Sequence, residues 1–172
     1  MACKASFNGV ILLVAVGLMS AVHLSPARAL SDDVLRQRIE KRAHNDERLE
    51  GTRVVVAVQD GGVVLYGSVW LYSQKMLYER IAWRVYGVAE VDNEILVEPR
   101  VPVPDQEIKS MILNMLPKHQ RLQEAGISVT VTKGHVHLHG TFRNPGDVLF
   151  LKHRVAEIAG VIHIEIEVQL VV

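Results

Sequence analysis

The sequence predicts an α+β protein made of two tandem αββαβ domains, each a two-layer sandwich of helices on a sheet. Three observations lead to this prediction. The chain repeats itself once at an offset of 73 residues, alternating apolar and polar residues mark strands, and apolar residues three or four apart mark helices. The repeat brings no recurring cluster of His, Ser, Asp or Glu. A duplicated scaffold without duplicated chemistry favours a binding or structural protein over an enzyme.

The first 29 residues have the pattern of a signal peptide. Lys4 precedes an apolar run over residues 10–24, Pro26 follows it, and Ala27-Arg28-Ala29 is a cleavage site, so cleavage is expected after Ala29. An uncleaved N-terminal anchor is the alternative, but the run is shorter than the ~20 residues of a spanning helix. Cys3 precedes the run, so the protein is not expected to be a lipoprotein. The pattern predicts export, and by itself does not distinguish the periplasm from secretion into the medium.

The composition of the mature chain excludes several classes of function. It contains no cysteine, which excludes thiol catalysis and thiolate metal sites. Removing Lys4 and Arg28 leaves 17 basic residues against 19 acidic ones, a net charge of −2. A nucleic-acid-binding protein would carry a marked basic excess, so no nucleic acid is expected as a partner. No cofactor-binding motif and no nucleophile elbow is present, and we expect no catalytic residues.

Each repeat begins with a helix. Ser31 or Asp32 can cap the first one, and Pro117 ends its counterpart in the second repeat. The apolar positions at helical spacing are Leu35, Ile39 and Ala43 in the first repeat and Ile108, Ile112, Met115 and Leu116 in the second. The remaining faces are highly charged, so both helices are expected to lie on a surface.

A hairpin, a second helix and a third strand follow in each repeat. Asp60-Gly61 and Lys133-Gly134 separate pairs of alternating segments and predict tight hairpins. Second helices are expected near 74–86 and 148–159, with Gly87 and Gly160 as left-handed caps. The last strands, 91–97 and 164–170, should run parallel to the second strands, because a right-handed helical crossover precedes them.

These elements divide the chain into four parts. Residues 1–29 are the predicted signal peptide, 30–98 the first domain, 99–104 a proline-rich linker, and 105–172 the second domain. The linker is stiff and extended, so it limits the angles between the domains. Each domain is small and buries a low fraction of its surface, so the two could pack together.

The recurring residues resemble the BON domain, a family named after bacterial OsmY and nodulation proteins. The positions that carry the resemblance are Val56, Val58, Gly61, Val63, Leu65, Gly67, Ile81, Ala82, Val85, Gly87, Val88, Val91, Asn93 and Ile95 in the first repeat, and Val129, Val131, Gly134, Val136, Leu138, Gly140, Gly160 and Val161 in the second. The second repeat departs from the pattern at Val155 and Ile166. The resemblance implies tandem αββαβ domains in envelope proteins behind a signal sequence, a periplasmic localisation, phospholipid attachment and no enzymatic activity.

His135, His137 and His139 alternate along one predicted strand. Residues two apart project from the same face about 6–7 Å from each other, so these imidazoles could share a divalent metal ion with Glu165 or Glu167. The alternative is a solvated polar face without a metal. In a third interpretation, the histidines become charged in mildly acidic surroundings and increase attraction to anionic lipid.

Trp70-Leu71-Tyr72 lies where the second strand ends and the helix begins. If exposed, this loop suits the bilayer interface, because Trp and Tyr side chains have an apolar ring and a polar atom that hydrogen-bonds with water. The alternative is that the loop is covered by the protein, for example by the other domain. Trp83 and Tyr86, on the second helix, are interpreted as packing residues.

The combined prediction is a non-catalytic envelope protein that binds anionic phospholipid membrane surfaces and supports envelope integrity or the osmotic-stress response. The candidate lipid-binding residues are Trp70, Leu71, Tyr72, Arg121, Lys133, Arg143, Lys152 and His153. One alternative is a periplasmic protein-interaction module, in which an edge strand over 164–170 adds to the sheet of another envelope protein. Metal binding by the histidine strand is the second alternative.

Overall fold

The structure is a computed structural model that describes residues 30–123 and 125–170. The predicted signal peptide, with Cys3, lies outside the described residues. Both domains have the element order α, β, β, α, β. The elements are α1 (Asp32–His44), β1 (Arg53–Gln59), β2 (Gly62–Val69), α2 (Tyr72–Trp83) and β3 (Glu90–Val97), then α3 (Asp105–Met115), β4 (Ser128–Thr132), β5 (His135–Phe142), α4 (Pro145–Ala156) and β6 (His163–Leu170). The α+β prediction is confirmed.

Each domain contains one three-stranded sheet, with its second strand in the centre. β1 pairs with β2 antiparallel, and β3 pairs with β2 parallel; β4, β5 and β6 repeat this order. The parallel third strand confirms the predicted helical crossover. One face of each sheet is covered by the two helices of its domain. The buried strand residues on these faces are Val56, Val63, Leu65, Val69 and Ile95 in the first domain and Val129, Val136, Leu138, Phe142 and Ile164 in the second.

Both predicted hairpins are two-residue turns with left-handed backbone. The φ angles are 51° at Asp60 and 80° at Gly61, and 51° at Lys133 and 76° at Gly134. Two consecutive positive φ angles match the right-handed twist of the flanking strands, which is why such turns close hairpins. Asp and Lys in this conformation carry some strain, so something must hold each turn in place.

An aspartate at the start of the first helix holds each hairpin. Both carboxylate oxygens of Asp32 accept backbone N–H bonds, from Asp60 at 2.9 Å and Gly61 at 3.0 Å. Asp105 repeats the arrangement with Lys133 at 2.7 Å and Gly134 at 2.9 Å. These two aspartates are 73 residues apart, so the sequence did contain a recurring acidic residue. Its role is to tie the helix to the hairpin.

Replacing Asp105 with alanine is expected to lower the free energy of unfolding by about 2 kcal/mol, because two N–H groups lose a charged acceptor. Chemical denaturation measures the loss. Glu107→Ala is the matched control, since Glu107 is also an acidic residue in the first turn of α3 but makes no hairpin contact. The control should lose less than about 1 kcal/mol, the dipole contribution alone. Equal losses for the two variants would contradict this role of Asp105.

The second helices begin and end earlier than the sequence predicts. α2 begins at Tyr72 rather than near 74, because the Gln74 side chain accepts the N–H bonds of Trp70 and Leu71 and caps the first turn. α4 begins at Pro145, where Asn144 caps the N–H of Gly146. Gly87 and Gly160 are left-handed as predicted, with φ of 99° and 87°. They lie in the loops beyond the helices rather than at the helix ends.

The two domains pack against each other through α2. Tyr72, the first residue of that helix, is 8% exposed and belongs to the hydrophobic core of the second domain. Its ring meets the His163 ring edge-on, with 6.1 Å between the ring centroids. Met76 and Val97 also contact the second core. The small size of each domain makes this shared core favourable, because it buries apolar surface that neither domain covers alone.

Candidate functional site

Trp70 is half-buried rather than exposed at a loop tip. Its ring lies against the backbone of Gly51, where an added Cβ would come within 2.6 Å of the Trp70 Cη2 atom. The guanidinium of Arg100, in the linker, lies over the ring, 3.4 Å from its centroid. Such a cation–π contact stabilises the ring in its covered position.

Leu71 and Tyr72 are also covered. Leu71 is half-buried, and Tyr72 is packed into the second domain. Burial, with a smaller contribution from Glu79, raises the pKa of the Tyr72 hydroxyl above its ordinary value of 10.0. In the described conformation, the loop corresponds to the alternative in which the protein covers it, with Tyr72 covered by the other domain and Trp70 by Gly51 and Arg100. Insertion of Trp70, Leu71 and Tyr72 into a bilayer stays a prediction, and in this conformation the Tyr72 ring is not accessible to it.

The five candidate cations of the second domain do not form one surface. Arg121 is paired with Asp147 at 2.5 Å and lies over the Phe150 ring. Lys133 is at the hairpin tip, whereas Arg143 follows the opposite end of β5, about 30 Å away at ~3.3 Å per residue. The remaining two, Lys152 and His153, are half-buried on α4. The separation of Lys133 and Arg143 along one strand could be read from the sequence, whereas the pairing of Arg121 with Asp147, 26 residues away, could not.

A different pair of aromatic residues is exposed, at the end of α2. The side chain of Trp83 is 51% exposed and that of Tyr86 is 84% exposed. Two exposed arginines flank them. Arg84 follows Trp83 in the chain, and Arg42 donates from Nη1 to the Arg84 carbonyl oxygen at 2.7 Å. We call Trp83, Tyr86, Arg42 and Arg84 the aromatic patch.

The interpretation of Trp83 and Tyr86 as packing residues is wrong. Leu77, Ile81 and Val85 are the buried residues on this segment, and they follow each other at four-residue spacing. Trp83 lies two residues from Ile81, on the opposite side of the helix. That spacing was available in the sequence and is the signal that could have identified the patch.

The predicted histidine strand is β5, and its histidines lie on the outer, solvent-facing side of the sheet. Each has a polar partner directly across on β6. His137 Nδ1 lies 3.0 Å from a Glu165 carboxylate oxygen, and His139 Nδ1 lies 3.4 Å from one of Glu167. His135 faces His163, with ring centroids 5.6 Å apart. The two carboxylates are therefore adjacent to the histidines, as the metal hypothesis required.

The same geometry limits what this strand can bind. Within the described residues, no group of three or more His, Cys, Asp or Glu side chains has an arrangement that could hold a metal ion. The two carboxylates lie beside the Nδ1 atoms of His137 and His139, where they can orient the imidazoles. Metal binding by His135, His137 and His139 stays a prediction.

Across residues 30–123 and 125–170, no helix has both the length and the apolar character that crossing a membrane requires.

The duplicated fold defines a tandem protein of αββαβ domains. The family model of the BON domain matches residues 31–99 and 104–170. The chain therefore belongs to the BON domain family, with two domains in tandem. BON domains bind phospholipids and occur in envelope or osmotic-stress proteins, and proteins of this family are generally non-catalytic.

Two solved structures are similar to the chain. One is CdsD of Chlamydia trachomatis, a structural protein of the type III secretion system, with 16% identity and a TM-score of 0.35; the match covers 83% of this chain and 64% of that one. The other is the C-terminal domain of CdsD, with 15% identity, a TM-score of 0.35, and coverage of 83% and 68%. The chain thus spans less than two thirds of the first structure. No curated protein matches it.

Proposed function

We propose that this chain is an exported protein of the bacterial envelope that binds anionic phospholipid membranes from the periplasm and catalyses no reaction. Its role is envelope integrity or the response to osmotic stress, as in OsmY-like proteins. The phospholipid binding of BON domains and the signal-peptide pattern of residues 1–29 support this proposal. The exposed aromatic patch carries it, because it is a surface of this chain that suits a bilayer.

The aromatic patch combines the two features of an interfacial contact. Trp and Tyr rings partition to the headgroup region, where the ring is in apolar surroundings and its polar atom reaches water. Arg42 and Arg84 add two cations beside the rings, and each cation near an anionic surface contributes about 1 kcal/mol. Trp83 and Tyr86 are also the two aromatic side chains with the largest exposure among the described residues. We therefore place membrane contact at the end of α2 rather than at Trp70-Leu71-Tyr72.

Replacing both Trp83 and Tyr86 with alanine is expected to weaken binding to phosphatidylglycerol vesicles about tenfold or more, because both rings would lose their place in the headgroup region. Flotation of the purified protein with vesicles measures this. Leu149→Ala is the control, since Leu149 is a comparably exposed apolar residue, at 55%, on another helix. In a Trp70→Phe background, Trp83 is the sole tryptophan, and its fluorescence should shift to the blue when vesicles bind.

The proposal fails if the protein does not float with phosphatidylglycerol vesicles, or if the double variant floats as well as the original. Binding that persists unchanged with phosphatidylcholine vesicles would contradict the part assigned to the arginines.

A second candidate is a protein-interaction module, favoured by the state of β6. This strand is at the edge of its sheet, and its last residues include the exposed side chains Val168 and Leu170, at 38% and 58%. An open edge with apolar side chains can add a strand from another protein. This function would be favoured over lipid binding if crosslinking in cells recovers one specific envelope protein and the purified protein does not bind vesicles.

A further inference from the structure

A cleft of about 500 Å³ lies between the two domains, bounded by α2 on one side and α4 on the other. This volume falls within the range of small-molecule sites in proteins. Leu71, Met76 and Leu77 supply apolar lining from the first domain. The charged and titratable groups around the cleft are Arg48 and Arg80 from the first domain and His153 and Glu157 from the second.

Pairing leaves one cation of the cleft, Arg80, without a direct ion pair, although its charge does contribute to lowering the pKa of Asp46. Arg48 is held by Asp46 at 2.6 Å, and Glu157 is held by Arg154 at 2.5 Å. Arg80 forms no hydrogen bond or ion pair with any other part of the chain that the structure describes. Its guanidinium therefore keeps all five donors available, and a planar guanidinium matches a phosphate oxygen pair.

His153 faces this arginine from the second domain. Burial first, and Arg80 second, lower the pKa of His153 below its ordinary value of 6.5. Lys152 on the same helix lowers it further, whereas Glu157 raises it. The His153 imidazole and the Arg80 guanidinium line the same cleft from its two sides. An anion placed between them would pair with both groups.

We propose that the interdomain cleft binds the phosphate headgroup of an anionic phospholipid, held by Arg80 and His153. This inference rests on the proposed function, and it assigns a binding site to one lipid molecule of the membrane. The apolar lining receives the first carbons of the acyl chains. Trp83 lies three residues after Arg80, one turn further along the same side of α2, so the cleft adjoins the aromatic patch.

The bound phosphate has a defined effect on protonation. It stabilises the charged imidazole, so binding raises the pKa of His153 and takes up a proton. By linkage, affinity increases as the pH falls through the titration of this histidine. Binding should therefore be tighter at pH 5.5 than at pH 7.5.

The test uses dihexanoylphosphatidylglycerol below its micelle concentration, with the imidazole resonance of His153 followed by NMR across pH. The lipid is expected to raise the His153 pKa, and Arg80→Gln is expected to weaken binding tenfold or more. Arg38→Gln on α1, an exposed arginine away from the cleft, is the matched control and should bind as the original does. A thermal melt of each variant checks that it is folded.

Several results would overturn the inference. They are an unchanged His153 pKa in the presence of the lipid, equal affinity of Arg80→Gln and the original, or equal loss in Arg38→Gln. Inorganic phosphate is the second probe, and binding as tight as that of the lipid would mean that a free phosphate, not a lipid, occupies the cleft. If the protein binds the soluble lipid but not vesicles, the proposed membrane binding is wrong and the proposed lipid site in the cleft is supported. If both arginine variants bind vesicles equally and the His153 pKa does not change, only the proposed lipid site in the cleft is wrong.

Discussion

Replacing Gly67 with alanine is expected to unfold the first domain or to leave it marginally stable. Gly67 is in β2 with φ of 125°, a conformation that L side chains rarely adopt. A Cβ there would lie 2.0 Å from the Arg53 carbonyl oxygen on β1, and that backbone cannot move without breaking the strand pairing. Backbone strain and lost pairing together should cost at least about 4 kcal/mol, a large part of the stability of a small domain.

Gly140→Ala is the matched control, because Gly140 occupies the same position in the second repeat. Its backbone is not left-handed, and an added Cβ would meet the Phe142 ring at 3.1 Å and the Ala125 carbonyl oxygen at 3.2 Å. These contacts require shifts of a few tenths of an ångström, so the loss should be about 1–2 kcal/mol. Urea denaturation with hydrogen exchange measures both. A larger loss in Gly140→Ala than in Gly67→Ala would contradict the argument.

Replacing Tyr72 with alanine is expected to destabilise the second domain although the residue belongs to a helix of the first. The buried ring fills space in the second core, and truncation of a buried large aromatic side chain removes about 3 kcal/mol or more. We also expect the two domains to unfold in separate steps, since Tyr72 is the main buried residue that the first domain contributes to the second core. Calorimetry would show two transitions in place of a coupled one.

Tyr86→Ala is the control for Tyr72→Ala, because it removes the same side chain from an exposed position of the same domain. Its stability should change by less than about 0.5 kcal/mol. If the two variants lose equal stability, or if Tyr72→Ala leaves the second domain unaffected, the domains are not coupled through this residue. The same pair separates packing from membrane contact, since Tyr86 belongs to the aromatic patch and Tyr72 does not.

The two domains share their inner faces and differ on their outer ones. Val64 and Tyr66 on the outer face of β2 correspond to His137 and His139 on β5. The inner face must pack against helices, so its side chains are constrained by the common backbone. The outer face contacts solvent and is free to diverge. A repeat in the sequence therefore identifies the scaffold and carries no information on what each outer face binds.

The sequence could predict the position of a candidate site residue only where its neighbours in the chain determine whether its side chain is exposed. Trp83 could be placed on the exposed side of α2 from the four-residue spacing of its buried neighbours. Tyr72 could not be placed, since its cover comes from residues more than 30 positions away, in the other domain. Arg80 and His153 are likewise brought together by domain packing alone.

The sequence by itself determined the number of domains, the order of their elements, the two hairpins and the faces that form the cores. These follow from local rules, because side-chain period sets the buried face and Asp-Gly or Lys-Gly sets the turn. Only the tertiary structure decided that Tyr72 is covered by the second domain and that Arg80 and His153 line the same interdomain cleft. Those properties depend on distances between segments remote in sequence, and such distances are set by the packing of one domain on the other.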